Sequence, residues 1–146
     1  MRGLRALLDV HVLIALLDAA HVHHSAASAW LERNIQHGWT SCPLTLNGCI
    51  RIMVQPAYPG RFTAAEAAAR LAEAMAGPHH AFWPADVNPM NEESIDWRRV
   101  LGHRQVTDAY LLALAVRHGG RLVTLDARIS PEAVTGASDR HLVVVN

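Results

Sequence analysis

Leu4–Asp18 reads LRALLDVHVLIALLD, and the reading of this stretch decides the fold. Leu4 to Leu8 is a short apolar run of the kind that fits a fully buried strand. Val12, Leu13, Ala15, Leu16 and Leu17 follow at a spacing that suits a helix. Asp9 stands between the two. Ligands of an open parallel sheet gather beyond the carboxyl ends of its strands, so Asp9 is the first candidate site residue. An acid between two apolar runs also needs a partner, which asks whether other polar groups arrive at the same place.

Working outward, the chain alternates strand and helix patterns. Ser25 starts a helix through Ala26, Ala29, Trp30 and Ile35 that Gly38 ends, and Trp39–Cys42 is a short strand closed by Pro43. Leu44 to Val54 reads as helical in part, interrupted by Asn47-Gly48. Thr63-Ala-Ala-Glu66 is a capping box opening an Ala-rich helix to about Ala76. His80–Trp83 is a third strand, Asp86–Glu93 a polar loop and Ser94–Leu101 a short helix. Thr107 or Asp108 starts a helix over Ala109–His118, ended by Gly119-Gly120. Arg121–Asp126 gives a fourth strand ending in an acid, Ser130-Pro131-Glu132 a capped helical turn, and Leu142–Val145 a last strand. This alternation predicts a single α/β domain over residues 1–146, with a mainly parallel sheet.

Composition narrows the chemistry. The 146 residues are 51% hydrophobic and 18% charged, with a formal net charge of zero, so nucleic-acid binding would require a local basic patch. All 13 basic residues other than histidine are Arg, and there is no Lys. That excludes a Walker lysine and Schiff-base chemistry, while Arg suits bidentate phosphate contacts. Arg2 and Arg5 ahead of an apolar run superficially resemble a signal peptide, but Asp9 and His11 interrupt it. No segment approaches the ~20 apolar residues of a membrane span. Cys42 and Cys49 make no disulfide framework. A cytoplasmic protein with reduced thiols and no membrane partner is expected.

Asp9, Asp108 and Asp126 share one structural context. Strand ends and the starts of following helices lie along one edge of a parallel sheet, so distant acids can converge there. At ~4 Å and an effective dielectric of about 20, each like-charged pair costs roughly 4 kcal/mol. A cation is the usual remedy, and carboxylate oxygens favour Mg²⁺ or Mn²⁺, which suits metal-dependent phosphodiester hydrolysis. Read alone, Asp108 also serves as a helix cap and Asp126 as the start of a turn.

LLDVHVLIALLD closely resembles the opening of PIN-domain ribonucleases, specifically the VapC toxins of toxin–antitoxin pairs. The resemblance continues through CPLTLNGCIRIM (42–53) and GHRQVTDAYLLALAVRHGGRLVTLD (102–126), and covers essentially the whole chain. It implies a PIN-like three-layer α/β/α fold with Asp9, Asp108 and Asp126 as catalytic, metal-binding acids. It further implies Mg²⁺- or Mn²⁺-dependent cleavage of a structured RNA, tRNA or rRNA, a homodimer, and a cognate VapB-type antitoxin. Thr107 and Asn47 would support the ligand set, as would His11, which stands where the family usually places Asn.

Many PIN domains carry a further acid in the segment resembling TxNG; here Leu46 falls at that position. Leu cannot ligate a metal. Such a site would hold one ion weakly, recruit water or Asn47, or be catalytically impaired and act as a binding module. Arg98, Arg99 and Arg104, just before Asp108, and Arg51 are candidate contacts for RNA phosphates, which position a substrate without reading its sequence. His21, His23 and His24 lack the companions of a zinc site. The tryptophans (30, 39, 83 and 97) are spaced for a core, not a stacking platform.

Overall fold

The computed structural model describes residues 3–90, 93–126 and 128–146. Five strands, β1 (Ala6–Leu8), β2 (Trp39–Ser41), β3 (His80–Phe82), β4 (Arg121–Thr124) and β5 (Leu142–Val144), form one sheet in the order β3-β2-β1-β4-β5. Every pairing is parallel. The helices are α1 (Val10–Leu17), α2 (His24–Asn34), α3 (Pro43–Met53), α4 (Ala64–Met75) and α5 (His103–Arg117). The expected three-layer α/β/α architecture is observed.

The three residues of β1 show why the sheet is covered on both faces. Successive strand side chains point to opposite sides. Leu7 packs with Leu122 and the α5 residues Leu111, Leu112 and Leu114. Its neighbours Ala6 and Leu8 join Val12, Ile14, Trp30, Cys49 and Met53 from the helices on the other face. All three strand residues are buried, which explains an apolar run without alternation.

Strand order reverses at β1, which pairs with β2 on one side and β4 on the other. This is the switch point of a doubly wound sheet, where connections leave a crevice beyond the strand ends. The register sets Leu8 opposite Val123, so the residues just past them, Asp9 and Thr124, are neighbours.

Several local expectations hold. Thr63 Oγ1 accepts from the Glu66 amide at 3.1 Å and the Glu66 carboxylate accepts from the Thr63 amide at 2.9 Å, closing the capping box of α4. Gly38, at φ 80°, turns the chain into β2. Other boundaries move. Helix α3 runs unbroken through Asn47-Gly48, because Gly48 lies against α1 where a Cβ would meet Val10 Cγ2 at 2.9 Å. Residues 94–101 contain only the 3-10 turn Trp97–Arg99, not the expected helix. Helix α5 starts at His103, with Gly102 as N-cap and no side chain capping it. Asp108 is therefore an interior helix residue, and the capping role is corrected. Among the described residues, no helix is long and apolar enough to cross a membrane.

Candidate functional site

Beyond the β1 and β4 strand ends lies an open cavity of about 670 Å³. The acids Asp9, Asp108 and Asp126 all line it, and they come from three separate elements. Asp9 caps α1: its Oδ1 accepts from the Val10 amide at 2.7 Å, while its own amide donates to Val123 O at 2.9 Å. The side chain is thus fixed by the strand behind it and the helix ahead. Its Oδ2 accepts from Thr124 Oγ1 at 3.0 Å. Thr124 Oγ1 also accepts from the Asp126 amide at 3.3 Å, so one buried hydroxyl ties the Asp9 carboxylate to the backbone of Asp126.

Asp108 faces the same cavity from α5. Burial, the nearby charge of Asp9 and, less, that of Asp126 push its carboxyl up to about 7, against a smaller opposing pull from Arg128. A carboxyl held this high among other acids marks a place built for positive charge. Asp126 lies at the outer rim, its side chain 69% exposed, and its Oδ2 accepts from Arg128 Nε at 3.1 Å.

The donor set fits a hard divalent cation. Three carboxylates supply oxygens, and Asp9 offers lone pairs beyond its two hydrogen bonds. Among the described residues, no three His, Cys, Asp or Glu side chains stand close enough together to hold an ion as they are, so the three acids would have to draw in around it.

The remaining walls separate the other expected residues into two groups. Thr107, His11, Arg51 and Arg104 line the cavity. Arg98 and Arg99 do not: Arg98 Nε pairs with Asp96 at 3.0 Å, and Arg99 with Asp96 at 3.5 Å and Glu132 at 3.2 Å. Asn47 is exposed and lies outside the cavity lining. Leu46 is half-buried in the apolar cluster with Cys49 and Met53. Residues 46, 49 and 53 share one helical face, whereas Gly48, Arg51 and Ile52 look into the cavity. From α3, Gly48, Arg51 and Ile52 therefore line the cavity, and Leu46 is not among the lining residues.

Four polar residues of the cavity wall are not among the site residues expected from sequence: Arg128, Thr124, His21 and His23. Thr124 had a usable signal, a hydroxyl closing a strand two residues ahead of an acid. The histidines, which lack the companions of a zinc site, line the cavity at the connection between α1 and α2. His21 Nδ1 accepts from the His23 amide at 3.0 Å, and burial, then the neighbouring His23, lowers the His21 imidazole below its ordinary value.

Comparison with known proteins follows this geometry. A family model described as PIN domain matches residues 6–131. Ribonuclease VapC44 of Mycobacterium tuberculosis is 48% identical over 142 residues, covering 97% of this chain and all of that one. The solved structure of VapBC2 from Rickettsia felis, bound to a DNA fragment from its promoter, superposes with a TM-score of 0.64 at 9% identity, covering 97% of this chain and 98% of that one. VapC20 of M. tuberculosis, described as a Sarcin-Ricin loop cleaving toxin, superposes at 0.56 with 15% identity, covering 80% of this chain and 85% of that one. At these identities the two structures speak for the fold alone.

Proposed function

This chain belongs to the PIN-domain family and within it to the VapC ribonucleases, and from that premise we propose that it is a divalent-metal-dependent endoribonuclease, the toxin of a toxin–antitoxin pair. The observation that carries this reading is the meeting of Asp9, Asp108 and Asp126 in one cavity, with Asp108 raised to about 7. Mg²⁺ or Mn²⁺ held by these acids would supply Lewis acidity toward a phosphate and a water of lowered pKa.

The residues of the chain then divide the work. Thr124 holds the Asp9 carboxylate in one orientation, so an ion meets a fixed oxygen. Arg51 and Arg104 face the cavity and neutralise the phosphates on either side of the scissile bond. Thr107, beside Asp108, and His11, two residues after Asp9, line the same wall and support substrate or bound water. Hydrolysis would leave a 5′-phosphate and a 3′-hydroxyl on a structured RNA, with tRNA and rRNA the candidate classes. A VapB-type antitoxin and a second copy of this chain are the inferred protein partners.

One observation favours a second reading, a binding module with impaired catalysis. Helix α3 presents Gly48, Arg51 and Ile52 to the cavity and brings no acid. The test is cleavage of total tRNA and rRNA by antitoxin-free protein in Mn²⁺, with and without EDTA. Cuts that need the metal and vanish in Asp9→Asn support the nuclease. Binding without cuts at any metal concentration favours the binder.

A further inference from the structure

Beside the carboxylate cavity lies a second, shallower pocket of about 420 Å³, lined by Leu101, Gly102, His103, Arg104, Gln105 and Arg128. Arg104 and Arg128 line both cavities, so the two are continuous across a basic ridge. We propose that this pocket is a nucleotide subsite, taking an unpaired nucleotide next to the scissile phosphate. The inference rests on the ribonuclease reading of the neighbouring cavity and adds to it where the flanking RNA goes.

Three observations carry it. The first is construction. Gln105 Oε1 accepts from the Leu101 amide at 2.6 Å, and its Nε2 donates to Arg128 O at 2.7 Å. One amide side chain therefore clamps the two segments that form the pocket, and holds the ridge in register with the acids. The second is charge. Arg104 has no carboxylate partner among the described residues and no acid lines the pocket, while Arg128 pairs with Asp126 of the neighbouring cavity, so the free charge of the ridge is that of Arg104. Arg98 and Arg99, a few residues earlier, are by contrast both neutralised. The third is an apolar surface at the right place. Leu101 is 82% exposed. A charged ridge beside an exposed apolar side chain matches a phosphate beside a base, since base faces bury well against apolar groups and guanidinium planes.

The test uses ¹⁵N-labelled Asp9→Asn protein titrated with the dinucleotides UpU and ApA, and separately with inorganic phosphate. Amide shifts at 102–105 and 128 that the dinucleotides produce and phosphate does not are the expected result. Equal shifts with phosphate would reduce the pocket to an anion site, and no shifts would remove it; either outcome overturns the proposal. In wild-type background, Leu101→Glu should raise KM for a cleaved single-stranded RNA roughly fivefold or more, with kcat within about twofold, by opposing phosphate and base together. Leu101→Tyr should lower KM, a direction that a folding defect does not produce. Unchanged KM in both variants, with cleavage intact, sinks the subsite and leaves the nuclease standing. A wild-type protein that cuts no RNA sinks the nuclease, and the dinucleotide titration still decides the pocket.

Discussion

Thr124 donates its hydroxyl to the Asp9 carboxylate at 3.0 Å, joining two strand ends 115 residues apart in sequence. Both residues are buried, at 3% and 7% exposure, so little water competes for this bond. Thr124→Val keeps the shape and removes the donor. It should cost about 1.5–3 kcal/mol in urea denaturation, because the bond goes to a charged acceptor. It should also lower kcat on RNA roughly tenfold, by freeing the carboxylate to rotate. Thr124→Ser should recover most of both.

The raised carboxyl of Asp108 gives stability a pH dependence of defined sign. Its folded value of about 7 lies above its ordinary value, so the folded state favours the neutral acid. The stabilisation is fully present at acid pH below the ordinary carboxylate value, and is lost as pH rises through about 7. In metal-free buffer, Asp108→Asn should remove this loss and exceed wild type at pH 8 by on the order of 2 kcal/mol, read from urea midpoints. Mn²⁺ should raise the wild-type Tm more at pH 8 than at pH 6, since proton and ion compete for the same oxygens. A Tm increment independent of pH would place the ion elsewhere.

Leu46→Glu separates the two helical faces of α3. Burying a carboxylate among Cys49 and Met53 should cost about 1–3 kcal/mol and leave Mn²⁺ affinity unchanged by calorimetry. Tighter Mn²⁺ binding would show that residue 46, and not residue 48, faces the acids.

The arginines divide in the same way. Arg51→Ala and Arg104→Ala should each raise KM for RNA and reduce the salt dependence of binding by about one phosphate contact. Arg98→Ala should do neither, because its side chain pairs with Asp96 and lies outside the cavity lining. Equal effects from all three would mean that RNA wraps beyond the cavity wall.

Asp18 is held below the usual carboxylate range, chiefly by the hydroxyl of Tyr58, with burial opposing. The connection it anchors, through its bond from the Ala20 amide at 3.0 Å, carries His21 and His23 to the cavity mouth. Its stabilisation is present above the ordinary carboxylate value and lost as pH falls. Tyr58→Phe should cost about 1–2 kcal/mol at neutral pH, with the difference from wild type shrinking in acid. It should also broaden the amide signals of residues 20–23.

What could be read in the chain was what local pattern encodes. The apolar run before Asp9, the Thr63–Glu66 box and the Gly-Gly stop before β4 are contiguous signals, and each stands near its expected place. What could not be read depended on phase or on distant partners. The start of α5 was misplaced because Gly102 caps with its backbone and leaves no side-chain signature. Position 48 was overlooked because sequence alone does not set the rotation of α3 against α1. Asp96, two residues before Arg98, pairs with both Arg98 and Arg99 and was within reach of a local reading, whereas the Arg99–Glu132 pair spans 33 residues and needed the fold. Arg128 carried no motif; only the fold brings it beside Asp126.

The strand order has a consequence for the chain as it is made. β1 precedes β2 and β3 in the chain, but its neighbour on the other side of the switch point is β4, which begins only at Arg121. Until then Asp9 has neither Thr124 nor Asp126 beside it. Helix α5 brings Asp108 ahead of β4, so the chain before Arg121 carries two of the three acids and lacks the hydroxyl that fixes Asp9. The proposed ligand set is thus complete only once β4 has paired with β1.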